Sequence, residues 1–163
     1  MQAFIVPTLL AVITACGDVD DPHSHHNHDH GLPTTVVLNL TPQEGGETLS
    51  FTWADPENDG DPVIESIVLP DGGEDETHVA VEYLLSVEIW NELEDPTENM
   101  TSEIDEEGAE HQLFFTGAAV EGPATGDNAN ALIAHTYSDS DVNQLPIGLV
   151  NSIETVALGT GEL

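Results

Sequence analysis

The sequence predicts a mainly β protein: an antiparallel, immunoglobulin-like β-sandwich with one short acidic helix between central strands. Three observations carry that expectation. Residues 79–90 place Val79, Val81, Tyr83, Leu85, Val87 and Ile89 at alternate positions, the period of a half-buried strand. Residues 34–40 and 48–53 are β-branched or alternating runs joined across Glu44-Gly45-Gly46-Glu47, which reads as a hairpin. Asp95-Pro96-Thr97-Glu98 has the residue order of a capped helix start, with Asp95 as N-cap, Pro96 at N1 and Glu98 at N3.

Residues 79–117 therefore read as strand, acidic helix, strand, and the other segments as packing around that unit. In the helix, Met100 and Ile104 lie four apart and face the sheet, while Glu103, Asp105, Glu106, Glu107 and Glu110 stay in water. Gly108 ends it, and Leu113-Phe114-Phe115 resumes the sheet. Ahead of this unit, residues 63–69 form one short strand closed by Pro70-Asp71-Gly72-Gly73. Beyond it, a Gly-, Pro- and Asn-bearing loop at 121–130 precedes a strand over 131–137. A last apolar stretch over 147–158 is broken at Asn151-Ser152.

Charge sets the limits on function. The 163 residues hold 32 Asp and Glu and no Lys or Arg, a formal net charge of −32. Protonated histidine is the only side-chain cation this chain can make. A phosphate cradle with its lysine, an arginine clamp and a Schiff-base lysine are excluded. Nucleic-acid binding is excluded with them, for want of groups to neutralise phosphate. Charged partners are cations or basic protein surfaces.

Residues 3–15 form an apolar run, short for a membrane-spanning helix and suited to the h-region of a signal peptide. Ile13-Thr14-Ala15-Cys16 then has the order of a bacterial lipobox, in which Cys16 is the lipidated first residue of the mature chain. Cys16 is the single cysteine, so no intrachain disulfide forms. A buried strand with an incidental cysteine is the alternative reading of this run. The chain divides into a signal peptide and lipobox at 1–16, an acidic, His-rich tether at 17–31 and a β-sandwich domain at 32–163.

Two segments have metal-ligand character. His23, His25, His26, His28 and His30 stand within eight residues. Imidazoles so dense in a polar segment chelate Zn²⁺, Cu²⁺ or Ni²⁺ with little geometric demand; a plain linker is the alternative. Asp55, Glu57, Asp59 and Asp61 alternate around Gly60, as at the start of a Ca²⁺ loop. Ser66 occupies the place of that loop's bidentate glutamate, and an Asp-Gly turn between strands explains the same residues. No cofactor is required by either reading. A hydrolase built on His78, His111 and His135 is the weakest alternative, because each stands alone on or beside a strand.

The lipobox at Cys16 with its acidic tether, and the blocks at 49–61, 87–115 and 145–163, resemble a family of uncharacterised lipid-anchored β-sandwich lipoproteins from Bacteroidota and related marine bacteria. The resemblance covers nearly the whole chain. It implies a lipid anchor at Cys16, a place in the bacterial cell envelope (outer membrane or cell surface) and no catalytic residues. Such proteins are sometimes labelled periplasmic-binding folds, for which this chain is too short and too rich in β pattern. The resemblance also implies a further alternating strand after Leu163, leaving a sheet edge open to strand donation or aggregation.

The expected function is therefore a non-catalytic, lipid-anchored envelope module, binding or structural, that meets the membrane only through its anchor. No Gly-x-Ser-x-Gly elbow and no HExxH motif is present. The alternative is a protein that buffers or delivers Zn, Cu or Ni through its histidine tract. The missing basic residues also fit a designed variant of such a lipoprotein with no evolved activity.

Overall fold

The computed structural model describes residues 3–6, 31–70 and 78–162. Strands hold 39% of the described residues and helix 5%, so the described part of the chain is mainly β. The strands are β1 (Ala3–Val6), β2 (Thr35–Pro42), β3 (Leu49–Ala54), β4 (Val63–Ile64), β5 (Ile67–Leu69), β6 (Glu82–Asn91) and β7 (Glu98–Asn99). After helix α1 (Thr101–Glu106) come β8 (Val120–Glu121), β9 (Ile133–Tyr137), β10 (Val150–Thr155) and β11 (Thr160–Glu162). They form an eight-stranded sheet, in which β4-β3-β2-β6-β10-β9-β8 run side by side and β7 adds to β6, and a three-stranded sheet β11-β1-β5.

Register explains why the larger sheet has one apolar face. Trp53, Val36 and Ile89 lie opposite one another across β3, β2 and β6, as do Phe51, Leu38 and Val87. The next row runs Leu49, Leu40, Leu85, Asn151 and Tyr137, and Tyr83, Ile153 and His135 follow it. Residues directly opposite share a face, so the alternation read in β6 fixes which side of every neighbour turns inward. Tyr83, Leu85, Val87 and Ile89 are all buried. The other face carries polar pairs, with Ser50 Oγ donating to Asn39 Oδ1 and Asn39 Nδ2 donating to Glu88.

Ile67 and Leu69 of β5 cover this apolar face, packing into one cluster with Leu38, Leu85, Phe115 and Ile153. A void of about one or two water molecules in size lies among these side chains. Tyr83 ties the two sheets together: it is 1% exposed, and its hydroxyl donates to the Pro70 carbonyl at 3.0 Å.

Four expectations change. The pairing is mixed, not purely antiparallel, because β8–β9 and β1–β11 are parallel. Between β8 and β9 the chain turns twice, with Gly126 N–H on the Gly122 carbonyl and Ala131 N–H on the Asn128 carbonyl, so β9 leaves in the direction of β8. Residues 63–69 are two strands: β4 extends the larger sheet beside β3, while β5 crosses to the smaller one. Only β5 is buried, with Val63 and Ile64 exposed.

The helix starts later than Asp95-Pro96 suggests. Glu98 and Asn99 pair with Asn91 and Trp90 at the edge of β6, and the backbone cannot serve that ladder and a helix together. Helix α1 begins at Thr101, with Met100 in the N-cap position and no side-chain cap. Met100 and Ile104 are buried as expected. Finally, residues 111–115 form no strand. Leu113 N–H reaches the Ile147 carbonyl and its own carbonyl accepts from the Tyr137 hydroxyl, so the segment is stapled across a loop while Phe115 fills the core. The neighbours of β6 are β2, β10 and β7, not a returning strand.

Candidate functional site

Cys16 and the tract His23, His25, His26, His28 and His30 lie outside the described residues. Of the segment read as a signal peptide, Ala3–Val6 is described, as strand β1.

The loop after β3 is described in full. Asp55 is 7% exposed. Its Oδ1 accepts from Asp59 N–H and its Oδ2 from Gly60 N–H, each at 3.0 Å. Asp59 Oδ1 accepts in turn from Asp61 N–H at 3.1 Å, and Gly60 takes φ +85°, where glycine has no Cβ to clash. The Asp55 carboxylate thus faces into the loop and organises its backbone. Glu57 and Asp61 are exposed. Among the described residues, no group of three or more His, Cys, Asp or Glu side chains is arranged to hold a metal ion.

The loop after β9 repeats the arrangement. Both oxygens of Asp139 accept backbone N–H groups, from Gly148 and Val150, at 2.8 Å. Asp141 Oδ1 accepts from Asn143 N–H at 2.9 Å and Leu145 N–H at 2.7 Å. In a chain without lysine or arginine, backbone amides take the place of cationic partners, through hydrogen bonds strengthened by the ionised acceptor.

The most developed polar constellation in the core pairs His135, which the sequence offered only in the hydrolase alternative, with Asn151. His135 and Asn151 are 1% and 0% exposed. Asn151 Nδ2 donates to the Gly148 carbonyl at 2.8 Å, which turns its Oδ1 toward His135 Nε2 at 2.9 Å. Because Oδ1 only accepts, Nε2 carries the proton and Nδ1 is the bare nitrogen. Nδ1 is buried with no hydrogen-bond partner among the described residues. It sits against Gly122, where a Cβ would come within 3.1 Å of it.

The Phe115 ring lies 4.7 Å from the imidazole, tilted by 37°, and Tyr137 meets it edge-on at 4.7 Å and 83°. Burial pushes the His135 pKa below its ordinary value, against a smaller opposing effect of the Asn151 hydrogen bond. Burial also raises the Tyr137 pKa, and the nearby negative charge of Asp139 adds to that rise. A buried imidazole hydrogen-bonded through Nε2 to Asn151 links β9 to β10 at this row of the sheet.

Two further histidines are described. His111 lies 3.8 Å from Glu107, one helical turn away in sequence, and His78 stands ahead of β6. Alternation could have found the buried pair, since Ile133, His135 and Tyr137 share one face of β9, and Asn151 and Ile153 share the facing side of β10. Compared with known family models, curated proteins and solved structures, the chain matches none.

Proposed function

We propose that this protein is a non-catalytic, lipid-anchored module of the bacterial cell envelope, at the outer membrane or cell surface, acting by binding or as a structural element. The observation that carries the proposal is the order Ile13-Thr14-Ala15-Cys16, then an acidic tether, then a mainly β domain. Two acyl chains on Cys16 hold a protein firmly, where one holds it marginally. The domain is an immunoglobulin-like sandwich in the broad sense, two layers closed on one core, with mixed strand direction. Its charge of −32 selects cations or basic protein surfaces as partners.

Growth of an expressing bacterium with radioactive palmitate tests the anchor. The wild type is expected to carry label and to sediment with membranes, and Cys16→Ser to lose both. An unlabelled wild type, or label that persists in Cys16→Ser, removes the anchor.

The five histidines at 23–30 support a second role, transition-metal buffering or delivery. Calorimetry is expected to show Zn²⁺, Cu²⁺ and Ni²⁺ binding to the full chain and its loss when 23–30 is deleted. Equal heats from the two proteins refute this role.

A further inference from the structure

Strand β1 occupies a position that the proposed processing would empty. Phe4, Ile5 and Val6 run parallel to Thr160, Gly161 and Glu162 of β11, while Ala3, Phe4 and Ile5 run antiparallel to Leu69, Val68 and Ile67 of β5. This strand is the middle member of the smaller sheet. Cleavage before Cys16 would carry it away and leave two strands facing each other across an unfilled place.

Both walls of that place are fixed by contacts that do not involve β1. On one side, Ile67 and Leu69 are 3% and 2% exposed in the core, and the Pro70 carbonyl just beyond them is held by the Tyr83 hydroxyl. On the other, β11 lies so close to the start of β8 that a Cβ on Gly161 would come within 2.6 Å of Ala119 Cβ. A Cβ on Gly159 would meet Leu132 at 2.8 Å. Walls anchored in this way keep their spacing and present unpaired N–H and C=O groups on both sides, a template for an added strand.

We propose that Ala3–Val6 is a displaceable plug, and that its removal opens a strand-acceptor slot between β5 and β11 for an extended apolar segment of another protein. The incoming strand runs antiparallel to β5 and parallel to β11, as Ala-Phe-Ile-Val does in the uncleaved chain. The partner is a protein with a neutral or basic surface, not a second copy, because two chains at −32 each repel one another on approach. The inference rests on the anchor reading for the step that opens the slot.

Opening the slot in the full chain tests it. Ile5→Pro removes a backbone donor from the middle strand and adds a ring that a central position does not accept. A fluorescent peptide of sequence QAFIVPTL is expected to bind the Ile5→Pro chain by anisotropy and to leave the wild type, whose slot is filled, unlabelled. A peptide with proline in place of its isoleucine is expected not to bind. Two lysines added to the peptide's end are expected to tighten binding several-fold over two aspartates at low salt, a difference that salt erases.

Hydrogen exchange on both full-length proteins is the independent readout. Amides of β5 and β11 are expected to lose protection in Ile5→Pro and to regain it with peptide. No peptide binding by a folded Ile5→Pro chain overturns the slot, and so does unchanged protection of 67–69 and 160–162. Unlabelled Cys16 would instead sink the anchor and the opening step, with the peptide result unaffected.

Discussion

Tyr83→Ala is expected to cost about 3–5 kcal/mol of folding stability, the loss typical of truncating a large buried aromatic side chain. Tyr83 sits in β6, the strand with the most pairing partners, opposite Ile153 and Pro42. Its ring is 1% exposed, and its hydroxyl reaches across to Pro70 at the end of β5. One side chain thus fills the core beneath the larger sheet and fastens the smaller sheet to it. Tyr83→Phe keeps the ring and loses the hydroxyl bond, at a cost of about 1 kcal/mol. Urea melts at neutral pH in moderate salt separate the two, since salt screens the self-repulsion of so acidic a chain. A Tyr83→Ala cost below about 1 kcal/mol, in the range of ordinary surface changes, would mean that the two sheets are not joined here.

How much of this was legible follows from what each residue's partners are. The alternation in β6, the β2–β3 hairpin and the strand at β9 were readable because their signal is local: side-chain period two, bounded by turn residues. Met100 and Ile104 were readable for the same reason at helical spacing. The returning strand at 113–115 was not, because an apolar run does not reveal whether its backbone partners belong to a ladder or to scattered carbonyls. Leu113 bonds to Ile147 and Tyr137, more than twenty residues away. The split of 63–69 between two sheets is likewise invisible locally, since Val63 and Ile67 are equally β-branched and only burial distinguishes them.

The acidic loops illustrate a different gap. Alternating Asp residues suit a cation and a self-capped turn equally well. In the folded loop Asp55 accepts from Asp59 and Gly60 N–H, a self-capped turn that alternation of acids alone does not reveal. Asn151 looked like an interruption of an apolar stretch because it is polar. In place, it is the one group that both orients a buried imidazole and closes onto Gly148. A buried polar residue is legible only together with its partner, and His135 lies 16 positions away.

That pairing makes stability depend on pH in a direction that can be worked out. The folded protein holds His135 neutral, its pKa below the ordinary value, which in an unfolded chain is about 6.5. Between the two values the unfolded state binds the additional proton. Stability from this residue is therefore complete above about pH 6.5 and falls as the pH drops through the window, by up to about 1.4 kcal/mol per pH unit. The groups around the ring offer no relief: Phe115 and Tyr137 present aromatic surface, Nδ1 abuts Gly122, and the Asn151 amide is fixed by Gly148. Asp139, in the loop after β9, has both oxygens on backbone amides. His135→Gln keeps a donor for Asn151 and titrates nowhere in this range, so its stability is expected to lose this contribution to the slope. Urea melts of both proteins from about pH 7.5 to 5.5, spanning the ordinary imidazole pKa, measure the difference at a salt concentration that screens the surrounding carboxylates. Parallel curves for the two proteins would show that protonation of His135 is not linked to unfolding.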